Sequence, residues 1–220
     1  MDVCVVTYRN NPDRVVVGLR AQDRLWLRDN TLHNIGFAAA ANEVAARGRD
    51  DVILFINPDG DPLVGCFDAL ERCVLQDGVV AAEASQGPDL DRPTAQDGTV
   101  DWLSGACMAV RRDAFESVGG FDERLFMYCE DVDLSYRLAK IGRLIHCAEA
   151  RFSHDISRKS LRSLHRNYRN WLVVQRRHRH ADPERMLRDA AFSLRRFQVR
   201  EALARSTGTG DYLIRARKWA

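Results

Sequence analysis

The sequence has no apolar run near the roughly 18 residues that a membrane-spanning helix needs. It opens on MDVCVV, without the basic and long apolar segments of a secretory signal, which predicts a cytoplasmic protein. Its six cysteines form no CxxC pair and no zinc-type Cys-His spacing, so they are expected to be reduced thiols in the core. With 14 glycines and six prolines among 220 residues, collagen-like and low-complexity classes are excluded.

Basic residues are scarce in the first part of the chain. Residues 1–150 contain 15 Lys and Arg against 25 Asp and Glu, a balance of −10. Residues 151–220 contain 18 against 6, a balance of +12, so the net charge of +2 hides an acidic body and a basic tail. At 45% hydrophobic residues, the chain is long enough for one sizeable core with an appendage.

Short apolar runs alternate with helix-forming segments through the acidic body. This alternation predicts a layered α/β sheet. From residue 160 onward the pattern is helical and rich in arginine, so a core of residues 1–160 and a basic helical extension of residues 161–220 are predicted. Strands are predicted at 2–7, 25–28, 51–56, 79–84 and 105–110, and helices at 36–48, 66–75, 112–118 and 130–141.

An acidic turn follows the most apolar of these strands, in LFINPDGDP. Ligands of α/β sheets bind beyond the carboxyl ends of the strands, so Asp59, with Asp61 nearby, would face a site. Carboxylate oxygens on a rigid turn suit Mg²⁺ or Mn²⁺ bound together with phosphate oxygens. A plain β-turn is the alternative, because Asn, Pro, Asp and Gly are the usual turn formers.

A second acidic group lies in GGFDERLFMYCEDVDLSYRL, residues 119–138. Glu130, Asp131 and Asp133 crowd the start of a predicted helix, where the helix dipole favours negative charge. Apolar neighbours such as Phe126 would partly desolvate these carboxylates and raise their pKa values toward those of a general base. The residues alone leave a helix cap and a catalytic base equally open.

The motifs, taken in order, resemble a known family. VVTY, DN, NIGFAAAAN, LFINPD, SGACMAVRR, the 119–138 segment and a later histidine are similar to the family 2 glycosyltransferases of the GT-A fold, in their rhamnosyltransferase-like branch. The resemblance covers about residues 2–160 and implies a layered αβα sandwich with a helical C-terminal extension. It also implies inverting transfer of a sugar, with rhamnose favoured, from a nucleotide-diphosphate donor to a saccharide or lipid-linked acceptor in cell-wall or surface polysaccharide synthesis.

The resemblance implies roles for individual residues. Asp131, with Glu130 beside it, would be the catalytic base. Asp59 and His154 would bind a divalent metal ion, Mg²⁺ or Mn²⁺. The nucleotide sugar would contact Thr7, Asp29, Asn30, Asn57 and Asp59, and the acceptor or the sugar would contact Trp102, Gly105, Asp122 and Glu123.

Other functions stay open at this point. The stretch after the second predicted strand is shortened to DNTLHN, which suggests a degenerate, non-catalytic protein that binds a nucleotide sugar. The basic tail alone supports a nucleic-acid-binding protein, which is not expected because a base-reading motif is missing and the acidic body would repel phosphate.

The segment 165–180 is amphipathic at helical spacing, and two placements fit it. It would either lie on an anionic membrane surface, at the inner face of the membrane, with Tyr168 and Trp171 at the interface, or pack its apolar stripe on the acidic body.

Overall fold

The computed structural model of the chain describes residues 1–86, 94–154, 160–178, 187 and 199–219. By its internal contacts the chain divides into two units. Unit 1 comprises Met1–Phe126 and Glu130–Asp155, and unit 2 comprises Met127–Cys129 and Ile156–Ala220. The domain boundary at residue 160 stays a prediction, since residues 155–159 lie outside the described ranges.

Unit 1 contains a seven-stranded mixed sheet within its described residues, in the order β2-β1-β3-β6-β5-β7-β4. β1 runs parallel to β2 and β3, and β5 runs parallel to β7. β6 is antiparallel to β3 and β5, and β4 is antiparallel to β7. The strands are β1 (Asp2–Thr7), β2 (Arg24–Asp29), β3 (Val52–Ile56), β4 (Gly60–Pro62), β5 (Val79–Ser85), β6 (Cys107–Arg111) and β7 (Arg143–His154).

Helices cover both faces of this sheet. They are α1 (Asp13–Val17), α2 (Phe37–Ala45), α3 (Cys66–Val74), α4 (Arg112–Ser117) and α5 (Glu130–Leu138), with a 3₁₀ turn at Glu123–Leu125. Successive side chains of a strand point to opposite faces, so Val52, Leu54 and Ile56 pack in the core beneath α3. Ile53 and Phe55 pack in the core beneath α2 and α5. The layered αβα sandwich expected from the sequence is confirmed.

A buried carboxylate holds the start of the sheet together. Asp2 is fully buried and accepts hydrogen bonds from Trp26 Nε1 (2.7 Å), the Asp50 amide (2.8 Å) and Arg112 Nη2 (2.6 Å). These partners lie on β2, just before β3 and on α4, so one side chain ties three segments to β1. A buried charge is tolerated only when it is paired in this way.

The structure corrects two predicted boundaries and adds two strands that were not predicted. The helix expected over 130–141 ends at Leu138, because residues 139–142 close a turn with a hydrogen bond from the Ile141 amide to the Leu138 carbonyl (2.9 Å). The strand expected from residue 105 begins at Cys107, because the Gly105 amide bonds a side chain instead of a neighbouring strand. β4 and β7 were not predicted, since Gly-Asp-Pro is a turn-like triplet and β7 lacks regular alternation.

Unit 2 contains the helices α6 (Leu161–Arg177) and α7 (Val199–Trp219). A Cβ on Gly208 would lie 3.0 Å from the backbone of α6, so this glycine lets the two helices approach closely. The Arg205 guanidinium stacks on the Tyr168 ring at 5.2 Å, which places that ring against α7. Residues 179–180 of the predicted amphipathic segment lie outside the described residues. Among the helices that the structure describes, none is long and apolar enough to cross a bilayer.

Candidate active site

The carboxyl ends of β1 and β2 bring Thr7 and Asp29 together. Thr7 Oγ1 donates to Asp29 Oδ1 at 3.4 Å, and Asp29 also accepts from the Thr31 amide at 2.8 Å. Hydrogen bonds from the Thr31 side chain and backbone hold the pKa of Asp29 below its ordinary value. An ionised carboxylate at this edge is a suitable acceptor for hydroxyl or amide groups of a nucleoside.

Asn30 faces inward instead of outward. It is buried, its Nδ2 donates to the Gly36 carbonyl at 2.9 Å, and its Oδ1 accepts from Arg28 Nε at 3.1 Å. Its backbone amide donates to the Thr7 carbonyl at 2.8 Å. These hydrogen bonds of Asn30 fix the shortened loop between β2 and α2. A contact between Asn30 and a nucleotide stays a prediction.

The turn after β3 positions Asp59. The Asn57 amide donates to the Ala106 carbonyl at 2.8 Å, and the Gly60 amide closes the turn on the Asn57 carbonyl at 3.1 Å. Asp59 is half-buried between them. An ideal Cβ on Gly60 would lie 2.0 Å from the buried ring of Phe152, so only glycine lets β4 approach β7 this closely.

The backbone of β7 brings His154 to the same turn. His154 is the residue opposite Gly60 in the β4–β7 pairing, so its backbone lies beside the residue that follows Asp59. The side chain of His154 lies outside the described residues. Among the side chains that are described, no group of three or more His, Cys, Asp or Glu forms a metal-binding arrangement. The Asp59 carboxylate is nevertheless a hard oxygen donor of the kind that Mg²⁺ and Mn²⁺ prefer, on a turn held by Phe152.

Asp131 lies half-buried in the first turn of α5 and is held by two backbone amides. Gly105 N donates to its Oδ2 at 2.8 Å and Val132 N donates to its Oδ1 at 2.9 Å. A Cβ on Gly105 would lie 3.1 Å from the Asp131 Cβ, so the backbone there runs directly against the acid. Since Ala106 accepts from Asn57, the adjacent residues 105 and 106 join the Asp59 turn to Asp131.

The surroundings of Asp131 favour its protonated form. Burial raises the pKa of Asp131 above its ordinary value, and the negative charge of Glu83 adds to the increase. The hydrogen bonds from Gly105 and Val132 oppose this shift without cancelling it. A carboxylate with a raised pKa is a stronger proton acceptor than an exposed one, which suits a general base.

Three other acids from the sequence analysis are buried in the protein or paired with an arginine. Glu130 is buried at the start of α5. Asp133 is fully buried and pairs with Arg137 at 2.9 Å. Asp122 accepts from the Arg124 amide at 3.1 Å and pairs with its guanidinium at 3.0 Å, which caps the 3₁₀ turn.

Glu123 and Trp102 are the two other residues predicted to contact the acceptor or the sugar. Glu123 is exposed and accepts from Asn42 Nδ2 at 3.0 Å. Trp102 is half-buried on the segment that leads to Gly105. The roles of Trp102, Gly105, Asp122 and Glu123 toward an acceptor stay predictions.

Sequence reasoning missed Glu83 and His146. Glu83 is 1% exposed in the middle of β5 and accepts from the Ser104 amide at 2.5 Å. His146 Nδ1 lies 3.0 Å from Glu83 Oε1. The available signal was a glutamate inside the apolar run VVAAEA, because a carboxylate is almost never fully buried unless it is paired.

Comparison with known sequences shows which proteins the chain resembles. Residues 84–182 match the family described as "Glycosyltransferase like family 2". This part of the chain is similar to the family 2 glycosyltransferases. It is similar to N-acetylglucosaminyl-diphospho-decaprenol L-rhamnosyltransferase of Mycobacterium tuberculosis (strain H37Rv), with 34% identity over 160 residues that cover 50% of this chain and 52% of the relative. It is also similar to rhamnosyltransferase WbbL of Escherichia coli K12, with 48% identity over 54 residues that cover 24% of this chain and 20% of the relative.

The chain spans about half of the length of the M. tuberculosis relative. Two solved structures share the fold. A mannosyltransferase from Pyrobaculum calidifontis in complex with GDP-Man and Mn²⁺ has a TM-score of 0.70 at 13% identity, covering 98% of this chain and 74% of that one. GalNAc-T7 with UDP, GalNAc and Mn²⁺ has a TM-score of 0.63 at 14% identity, covering 80% and 47%. The resemblance to rhamnosyltransferase-like members of the family and the GT-A fold are thus confirmed.

Proposed function

We propose that this protein is a family 2 glycosyltransferase that transfers a sugar with inversion from a nucleotide-diphosphate donor, with Asp59 on the donor side and Asp131 as the base. The observation that carries the proposal is the hydrogen-bonded connection through residues 105 and 106. It links the Asp59 turn to Asp131, although the two acids are far apart in sequence. A site of this kind needs one cation-binding acid and one proton-accepting acid across a single sugar.

The donor side is built on the carboxyl ends of β1, β2 and β3. Thr7 and Asp29 offer hydrogen-bonding groups to the nucleoside. Asp59, with His154 on the neighbouring strand, would hold Mg²⁺ or Mn²⁺. A divalent ion bound there stabilises the negative charge that develops on the departing nucleoside diphosphate. The two solved relatives named above contain Mn²⁺ with a nucleotide or nucleotide sugar, which supports the same use here.

The acceptor side depends on Asp131. Its carboxylate would take the proton from the acceptor hydroxyl while that oxygen attacks the anomeric carbon from the face opposite the leaving group, which inverts the configuration. Holding the two reactants in line contributes several kcal/mol of the barrier reduction. A glycoside hydrolase would need a second carboxyl group as acid or nucleophile about 5 to 9.5 Å from the first. Asp122 and Asp133 do not offer one, because both are paired with arginines, and Glu83 does not, because it is 1% exposed.

The relatives support a rhamnosyl donor and a lipid-linked acceptor. The M. tuberculosis relative is named for transfer of L-rhamnose to N-acetylglucosaminyl-diphospho-decaprenol, and the E. coli relative is a rhamnosyltransferase. We therefore infer that deoxythymidine diphosphate rhamnose is the donor and that the acceptor is a saccharide on a lipid carrier. Such an acceptor places the enzyme at the inner face of the membrane, where the basic residues of α6 would meet anionic lipid.

Replacing Asp131 by Asn tests the base. The variant keeps the shape of the side chain but cannot accept a proton, so transfer should fall by at least about 100-fold while donor binding is retained. Transfer is measured by mass spectrometry with nucleotide sugars and membrane extracts as acceptor. Asp113→Asn, an exposed acid on α4, is the matched control and should keep full activity. Retained turnover in Asp131→Asn would remove Asp131 from this role.

Replacing Asp59 by Ala tests the donor side. Calorimetry with deoxythymidine diphosphate and Mn²⁺ should show weaker binding than in the wild type, whereas binding without metal should change little. Asp51→Ala, at the opposite end of β3, supplies the control because Asp51 is exposed. Unchanged metal-dependent affinity in Asp59→Ala would contradict the ligand assignment. Tight metal-dependent binding by the wild type with no turnover on any nucleotide sugar would favour the non-catalytic alternative.

A further inference from the structure

Three consecutive backbone amides next to Asp131 are each held by a different side chain. Leu103 N donates to Ser135 Oγ at 2.9 Å, Ser104 N donates to Glu83 Oε2 at 2.5 Å, and Gly105 N donates to Asp131 Oδ2 at 2.8 Å. Ser135 Oγ in turn donates to the Asp131 carbonyl at 2.7 Å. Residues 103–105 are thus clamped between β5 and α5, and two of the three clamping groups are carboxylates.

Glu83 is placed to act on Asp131 without touching a substrate. It is 1% exposed, so water and salt screen its charge much less than they screen the charge of an exposed acid. Its Oε2 bonds the amide next to the one that Asp131 bonds. Since the two carboxylates bond adjacent amides in a partly desolvated site, the negative charge of Glu83 disfavours ionisation of Asp131.

His146 supplies a polar partner for the buried Glu83 carboxylate. Its Nδ1 lies 3.0 Å from Glu83 Oε1, and its side chain is 10% exposed. The other acids of α5, the helix that carries Asp131, are Glu130, which is buried, and Asp133, which is paired with Arg137.

Resting on the proposed function, we propose that Glu83 is a positioning residue for the transfer reaction. It fixes residues 103–105 beneath Asp131 and, through its negative charge, keeps Asp131 a stronger proton acceptor. His146 holds the Glu83 carboxylate in the orientation that serves the Ser104 amide. Glu83 acts through Asp131 and is not itself in contact with the acceptor.

Glu83→Gln tests this role in the full chain. Glutamine keeps an oxygen for the Ser104 amide but removes the charge that raises the pKa of Asp131. The measurement is the pH dependence of kcat/KM for rhamnosyl transfer from deoxythymidine diphosphate rhamnose to a membrane extract. We expect the acid limb of the profile to move to lower pH. Glu149→Gln, an exposed acid on the same strand as His146, removes the same charge and should leave the limb in place.

The outcomes are distinct. A limb that stays at its wild-type position in Glu83→Gln overturns the proposal, whatever happens to the rate, because a purely structural role lowers the rate without moving the limb. A wild type that transfers no sugar overturns the proposed function instead.

A second measurement needs neither a variant nor turnover. The amide resonances of Ser104 and Gly105 report on the carboxylates of Glu83 and Asp131. In a pH titration of the wild type by NMR, ionisation of Asp131 should shift the Gly105 amide that it bonds and also the Ser104 amide that Glu83 bonds. A Ser104 amide that does not respond to the ionisation of Asp131 would overturn the proposal even if Glu83→Gln does not fold.

Discussion

Gly60→Ala is expected to disturb both the stability of the sheet edge and the donor side of the site. The added Cβ would lie 2.0 Å from Phe152 Cε2 and 2.1 Å from Cζ, whereas ordinary contact begins near 3.4 Å. The Phe152 ring is 1% exposed in the core beneath α3, so it has no open space to enter. Either the ring or β4 must move by about an ångström, and overpacking of this kind typically costs about 1–3 kcal/mol.

The movement has a functional consequence because Gly60 directly follows Asp59 and pairs with His154. A displacement of about 1 Å at a site can cost about 100-fold in activity. We therefore expect Gly60→Ala to lower the midpoint of urea unfolding and to weaken Mn²⁺-dependent binding of deoxythymidine diphosphate in calorimetry. Both measurements should change together, since both arise from the same contact.

A matched control and a rescue variant test the reasoning. Gly210→Ala in α7 makes the same chemical change where a Cβ meets open space, so it should be neutral or stabilise by up to about 1 kcal/mol. Phe152→Leu removes the ring atoms that the new Cβ would strike. The double variant should then be more stable than the two single costs predict, by about 0.5–3 kcal/mol of coupling energy. Full additivity, or a Gly60→Ala protein with wild-type stability and donor binding, would refute the argument.

Two further predictions follow from buried contacts of unit 1. Asp2→Asn should lower the free energy of unfolding by about 3–5 kcal/mol at pH 7, because it breaks a buried ion pair with Arg112. Burial opposes ionisation of Asp2, but its hydrogen bonds and Arg112 still hold its pKa below 3.8. The difference in the free energy of urea unfolding between wild type and variant should therefore persist above pH 3.8 and vanish as the pH falls through the lowered pKa. A difference in stability that grows in acid would contradict this prediction. Gly105→Ala places a Cβ 3.1 Å from the Cβ of Asp131. The kcat of transfer should therefore fall while the affinity for the donor, measured by calorimetry, is retained. An equal loss of kcat and donor affinity would argue against a local effect on Asp131.

The fold was largely predictable because its core strands and helices have strong local patterns. The continuous apolar run of β3 and the alanine-rich α2 were both located within a few residues. β4 and β7 were not found, because their pairing depends on a long-range contact that the sequence does not display. Phe152 and Gly60 pack closely only once both strands are formed.

The site was predictable only in part, and for a similar reason. Asp59 and Asp131 could be selected because acidic residues at the end of a buried strand and at the start of a helix form recognisable motifs. Glu83 could not be connected with Asp131, since residues 103–105 join them through backbone amides that any residue supplies. The inward position of Asn30 depends on the path of its loop and on a single carbonyl at Gly36, which no motif encodes.

The charge of unit 1 explains why the proposed chemistry depends on a cation. Residues 1–150 carry a balance of −10 that includes Asp59 and Asp131, and the proposed reaction would bring an anionic diphosphate close to both carboxylates. Two like charges 4 Å apart near a protein surface repel by about 4 kcal/mol, so a bare diphosphate would be disfavoured next to either acid. Under the proposed function, Asp59 would hold a divalent ion that turns the first of these repulsions into attraction. Burial and the charge of Glu83 raise the pKa of Asp131, which acts against the second repulsion because it disfavours the charged form of this acid. With a cation in place, the same two carboxylates would serve as the donor-binding acid and the base of the proposed reaction.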